Sequence, residues 1–178
     1  MAGGGSLASG KDPVRVEVGT SALATDDFCC VVVNMTNSAY GYTRLSNSEV
    51  AQRLVMGDAG SHANRVLHLA WRDEQLVGCC SSTIQTPWCP IGCGHWGLLV
   101  VHVEAQGTGV ASALVHSAER RLRAAGLKQV QIEYEFTCGE PHSERLLAWY
   151  EGALGFSGSG SPTTLTGHTQ FRRCRKHL

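Results

Sequence analysis

Residues 14–18 alternate apolar and polar, and period two predicts a first strand. Thr25-Asp26-Asp27 follows as a capping signal, and the spacing predicts a helix over 26–40. Ser46 and Glu49 stand at capping-box spacing, opening a second helix through 56, with a loop over 57–61. Two apolar runs, 65–72 and 75–86, read as a hairpin turning at Asp73-Glu74. A Pro/Gly/Cys loop covers 88–94. The stretch 96–103 is apolar on both faces, as in a buried central strand. Helical spacing resumes over 107–125, where Val110, Ala113, Leu114, Ser117, Ala118 and Leu122 form one stripe and Gly126 ends it. A strand over 130–134, a long loop over 136–142 and a helix capped by Ser143 come next. From Gly155 onward two closing strands are expected, with turns at Ser157-Gly158-Ser159-Gly160 and Thr166-Gly167. No repeat and no linker interrupts this order, so 13–178 reads as one domain.

Composition narrows the picture. A chain of 178 residues can bury a substantial core. Fifteen basic residues balance fifteen acidic ones, so charge offers nothing to nucleic acid or to an anionic membrane. No apolar run approaches the ~20 residues of a membrane span. Residues 1–12 are rich in Gly, Ala and Ser, without the charged and apolar parts of a signal peptide, and are expected to be a disordered extension. The eight cysteines do not form a disulfide framework. Cys29-Cys30 and Cys79-Cys80 fit apolar element interiors, as free thiols do in the reducing cytoplasm. Cys89 and Cys93 lie beside His95, but the spacing is loose and no second Cys/His pair completes a zinc site, so no metal is assigned.

The chemistry concentrates at Gln106-Gly107-Thr108-Gly109, between the buried strand and the helix after it. Glycines let a ligand approach the backbone, and the following helix offers unpaired N–H groups and a positive dipole end, which together suit a phosphate. The dinucleotide fingerprint fails here at its third glycine, and no Lys follows to make a Walker loop. Leu99, Val101, Gln106, Gly107, Gly109, Val110 and Ala111 instead resemble motif A of the GNAT (Gcn5-related N-acetyltransferase) superfamily, with Val103 in place of the usual Pro. The segment Ser143-Glu144-Arg145-Leu146-Leu147-Ala148-Trp149-Tyr150-Glu151-Gly152-Ala153-Leu154-Gly155-Phe156 resembles that family's motif B, with one extra residue between Glu151 and Leu154 that bulges the helix end. The resemblance covers about 14–175 and is specific over 96–156. It implies an α/β (α+β) fold, a mixed, mostly antiparallel sheet of about seven strands flanked by about four helices. It also implies two central strands, 96–103 and 130–134, that splay apart.

The resemblance further implies acetyl-CoA as acyl donor and an amine of a small molecule or peptide as acceptor. Leu99, Val100 and Val101 would meet the pantetheine, Gln106, Gly107, Thr108, Gly109, Val110, Ala111 and Ser112 the pyrophosphate, and Ser143 would stand where many members carry an Asn touching pantetheine. Transfer needs a neutral amine, a polarised carbonyl and a protonated leaving thiolate. Glu133 matches the family's acid on the strand after the phosphate-side helix, and would act as base through water with its pKa raised by burial. Tyr150 matches the motif B acid, and the Val101 N–H would face the oxyanion. His102 is the rival base, since imidazoles exchange protons near neutrality. His95, His142 and His168 are further candidates for an acceptor pocket. Tyr40-Gly41-Tyr42-Thr43-Arg44 is the segment expected to choose the acceptor, and 172–176 reads as a basic, solvated tail. A homodimer is compatible with all of this. The competing readings are a non-catalytic acyl-CoA-binding module and an unrelated nucleotide-binding domain.

Overall fold

The computed structural model of the chain describes residues 13–178, and the extension expected over 1–12 lies outside them. Its centre is a seven-stranded sheet in the order β1-β2-β3-β4-β5-β7-β6. β1 (Arg15–Val18), β2 (Arg65–Arg72), β3 (Gln75–Thr83) and β4 (Cys93–Val101) pair antiparallel. β5 (Gln129–Thr137) joins β4 in the one parallel pairing, and β7 (Thr169–His177) pairs antiparallel with β5 and with the short β6 (Ser157–Gly158). The mixed, mostly antiparallel sheet implied by the motifs is therefore present.

Helices sandwich the sheet. α1 (Asp26–Tyr40) and α2 (Asn47–Gly57) bury Cys29, Val32, Val50 and Leu54 against Leu67, Leu69 and Val100 on one face. α3 (Val110–Ala124) and α4 (Pro141–Leu147) lie on the other, where Leu114, Ala118 and Leu122 meet Trp96, Val130, Ile132 and Phe136. The helix caps form as the sequence predicts: Thr25 accepts from the Phe28 N–H, and Ser46 and Glu49 make a reciprocal capping box.

Several boundaries move for physical reasons. α3 starts at Val110 rather than 107, because Gly107 and Gly109 have φ of 73° and 87°, outside the helical region. β5 runs three residues past Tyr134 because β7 pairs with it throughout. Ser157 and Gly158 pair with Arg175 and Cys174 instead of turning. Ser143 is not the cap of α4. Glu140 is, its carboxylate accepting from the His142 and Ser143 N–H groups, with Pro141 at the first helical position. The stripe of α3 is wider than expected: Val115 and Glu119 are buried and Ala113 only half so. Glu119 is tolerated inside because Trp96 Nε1 and Lys176 Nζ reach it, the latter at 2.8 Å. All eight cysteines are free, and Cys30, one residue round the helix from buried Cys29, is exposed. The 172–176 segment is no tail but the body of β7, with Arg172 and Cys174 buried. Among the described residues no helix is long and apolar enough to cross a membrane.

Candidate functional site

Two backbone irregularities make an opening in the middle of the sheet. β4 and β5 are paired only at Cys93–Gln129, Gly94–Val130 and His95–Gln131, after which they part. On its other edge β4 carries a bulge, since Cys79 faces Val100 and Ser81 faces Gly97, leaving Leu98 and Leu99 opposite Cys80. Leu98 sits there at φ 53°, a left-handed conformation that leucine rarely adopts. The His102 N–H donates to Val77 on β3, so strand alternation turns the Val101 peptide toward the open side, where its carbonyl accepts from Gln106 Nε2 at 3.3 Å.

The strand leads into the glycine turn. The first helical hydrogen bond of α3 runs from the Ala113 N–H to the Gly109 carbonyl. The N–H groups of Val110, Ala111 and Ser112 come before it, Gly109 supplies no side-chain cap, and no acidic residue occupies the first turn. Arg72, buried on β2, donates from Nη2 to the Thr108 carbonyl at 3.1 Å and hydroxyl at 2.7 Å, and that hydroxyl donates to the Ala105 carbonyl. The turn is thus held from behind by residues that the motif does not include. A cleft of about 500 Å³ adjoins it, lined by Val31, Asn34 and Met35 of α1, Leu76, His102 and Gln106. His102 Nδ1 accepts from the Glu104 N–H, a capping role that occupies that nitrogen.

Glu133 lies on β5 two residues beyond the last β4 pairing, on the face away from α3. Its Oε2 is 2.9 Å from His95 Nε2, its Oε1 accepts from Gln131 Nε2, and Arg173 Nε stands 3.4 Å away. Burial pushes this carboxyl up, but the His95 hydrogen bond and charge, with Gln131 and Arg173, outweigh it and hold the carboxyl below its ordinary 4.5. The expectation that burial raises it is therefore reversed, by three partners from other positions on the sheet.

Tyr150 lies on the opposite face. α4 gives way at Ala148 to a π-helical turn, Ala148–Ala153, which absorbs the extra residue of this segment. The Tyr150 ring packs 4.9 Å from Tyr134, 5.1 Å from Trp149 and 6.0 Å from Trp96, centroid to centroid. Burial raises the phenol well above its usual range, and Tyr40, on α1 across the sheet, adds to this. The phenol is therefore an O–H donor at neutral pH. Glu151, its neighbour, anchors the turn through Arg172, Nε–Oε1 at 2.5 Å and Nη2–Oε2 at 2.7 Å, and accepts from the Tyr134 hydroxyl at 2.6 Å.

Of the other sequence candidates, Ser143 is buried within α4, and His142 and His168 are exposed. The 40–44 segment is a fixed loop: Asn37 accepts from the Arg44 and Leu45 N–H groups and donates to the Leu45 carbonyl, while Arg44 lies over the Tyr40 ring at 5.6 Å. Sequence reasoning missed the roles of Arg72, Asn37 and Glu140. Only Glu140 carried a local signal, the proline after it. Among the described residues no group of three or more His, Cys, Asp or Glu is arranged to hold a metal ion.

The sequence model of the acetyltransferase (GNAT) family matches residues 29–156. Solved structures share the fold at low identity. A PaiA N-acetyltransferase from Thermoplasma acidophilum, in complex with coenzyme A, is 12% identical with a TM-score of 0.68, the match covering 93% of this chain and 99% of that one. An aminoglycoside 6′-N-acetyltransferase complexed with coenzyme A is 14% identical with a TM-score of 0.67, covering 92% and 96%. A ribosomal-protein-alanine N-acetyltransferase from Brucella melitensis is 16% identical with a TM-score of 0.65, covering 92% and 99%. No curated protein matches the chain in sequence.

Proposed function

Because the chain belongs to the acetyltransferase (GNAT) family, we propose that it moves an acetyl group from acetyl-CoA to a primary amine of a small molecule or peptide, by direct attack in a ternary complex. The observation that carries this reading is the meeting of an uncapped helix N-terminus, behind a glycine turn, with a sheet opened between β4 and β5. The first suits a pyrophosphate. The second leaves strand-edge groups at Leu99, Val100 and Val101 for the two amides of a pantetheine arm. The fold-sharing structures that hold coenzyme A support the same donor.

In this reading Gln106, Gly107, Thr108, Gly109, Val110, Ala111 and Ser112 wrap the pyrophosphate. Ser143 is left out of the pantetheine contacts, since it is buried inside α4. The acceptor enters on the Glu133 face and gives up one proton to the Glu133–His95 pair. Its nitrogen lone pair then forms the new C–N bond, and the carbonyl π pair moves to oxygen, toward the Val101 N–H. On collapse the C–S bond breaks. Tyr150 donates to the leaving sulfur and is replenished by the second proton of the amine. The products are an amide, the free thiol of coenzyme A and one proton to solvent.

Calorimetry with acetyl-CoA, and with NAD and ATP as controls, tests the donor site. Release of free thiol in the presence of spermidine, an alanine-initiated peptide or phenylethylamine tests transfer. Selective acetyl-CoA binding with amine-dependent thiol release is expected. Binding of NAD or ATP but not acetyl-CoA would overturn the donor assignment, and acetyl-CoA binding without release would make the chain a non-catalytic acyl-CoA-binding module.

A further inference from the structure

In the acetyltransferase reading the acceptor amine sheds its proton to the His95–Glu133 pair, yet the two groups are not equivalent. Both oxygens of Glu133 are engaged, one by His95 and the other by Gln131 and Arg173. The imidazole uses only Nε2, and among the described residues Nδ1 has no hydrogen-bond partner. With the carboxylate accepting from Nε2–H, the lone pair resides on Nδ1.

The position of the ring is over-determined. Gly97 is the next residue on the same face of β4, and a Cβ there would come within 3.0 Å of His95 Cε1. The ring therefore lies across Gly97, where no side chain stands in its way, toward the bulge at Leu98. Trp88, from the loop before β4, meets the imidazole edge-on at 5.9 Å between centroids. That loop is itself tied down, the Trp88 carbonyl accepting from Gln131 Nε2 at 3.5 Å. The other charged and titratable groups bearing on the pair are Arg173 and Arg175 on β7, with Cys89 from the loop and Cys93 on β4.

We propose that His95 is the catalytic residue that takes the proton from the acceptor amine, and that Glu133 is the positioning residue that holds its ring. The inference rests on the acetyltransferase reading above and moves the base role from Glu133, to which the motif resemblance assigned it, to His95. In the step itself, the N–H bond of the ammonium breaks and the proton passes to Nδ1. The imidazolium that forms is stabilised by the carboxylate 2.9 Å from Nε2 and returns its proton to solvent after the amide has formed. Glu133 is poorly suited to the task alone, since a carboxyl held below its ordinary value has little affinity for an amine proton.

The test compares His95→Gln, Glu133→Gln and wild type in kcat/KM against pH, using whichever of spermidine, the alanine-initiated peptide or phenylethylamine the wild type turns over. Acetyl-CoA affinity by calorimetry verifies that each variant is folded. His95→Gln should lower kcat/KM about 100-fold or more and abolish the acid limb of the profile. Glu133→Gln should cost about 10-fold with the acid limb retained. His95→Ala leaves a hollow between Trp88 and Gly97, and added imidazole should restore part of its rate. A His95→Gln enzyme that keeps its rate and acid limb, while Glu133→Gln loses both, would overturn the proposal and return the base role to Glu133. A wild type that binds acetyl-CoA but acetylates none of the three amines would overturn the acetyltransferase reading, and the proposal with it.

Discussion

His68 shows how much a single side chain can set the behaviour of this protein. It is fully buried on β2, with Ser117 Oγ 3.1 Å from Nδ1 and Ser82 Oγ 2.7 Å from Nε2. Two hydroxyls satisfy a neutral ring. Burial, with the charges of Arg121 and Arg120, lowers its pKa from 6.5 to about 4. Above pH 6.5 the folded and unfolded chains both carry the neutral ring. Below it the unfolded chain takes up a proton that the folded chain refuses. Stability should therefore fall from pH 6.5 downward, by roughly 3 kcal/mol once pH reaches the folded value. Urea unfolding between pH 7 and 5 checks this: His68→Gln should remove most of the slope, and parallel curves for variant and wild type would refute it. Other single residues were harder to read in advance. His95 and Glu133 are 38 positions apart and meet only because β4 and β5 run parallel, a pairing that no local pattern announces.

At the scale of elements, local rules carried the reading furthest where local geometry decides. The glycine turn was legible because positive φ at two nearby positions demands glycine. The π-helical turn was legible as one residue too many in a helix that must still end in Leu154-Gly155-Phe156. The cap of α4 was misread because Ser143 fits the usual residue type, while Glu140, followed by a helix-starting proline, holds the position. At the turn, nothing lies within 4 Å of a Cβ built on Gly109, so a side chain there would meet open space. Gly109→Glu should therefore cost only the left-handed strain, about 1–2 kcal/mol. It places a carboxylate at the site assigned to pyrophosphate, and acetyl-CoA affinity should fall at least about 100-fold by calorimetry. Unchanged affinity in a folded variant would remove the turn from the donor site.

The whole molecule is closed by contacts made from its last strand, β7. The 172–176 run looked like a solvated basic tail because its partners come from remote elements. Arg172 meets Glu151, Arg173 meets Glu133, Arg175 meets Gln131 and Lys176 meets Glu119. The Arg172–Glu151 pair is the most consequential, since Arg172 is 1% exposed and the pair joins β7, β5 and the turn carrying Tyr150. Arg172→Met strands the Glu151 carboxylate, a loss of about 3–5 kcal/mol and a drop in Tm of about 10 °C or more. Pairing it with Glu151→Leu should recover most of that loss, and calorimetric melts of the two variants distinguish a stranded charge from lost packing. Burial pushes the Glu151 carboxyl up, but Arg172 and Tyr134 hold it below 4.5, so its contribution is present above that pH and is lost as pH falls through the lower folded value. The bulge in β4 reaches equally far. Up to Gly97 the even-numbered side chains look toward α3, but from Leu98 onward the odd-numbered ones do. The strand thus changes phase in mid-course. If residues 97–101 alternated without the bulge, Val100 would go to the side of Trp96 and Leu99 and Val101 would face α1. Deleting residue 98 would instead remove the extra residue and leave all three on their present faces. A one-residue gap there describes a strand with the same faces and no bulge, and so without the left-handed turn at Leu98.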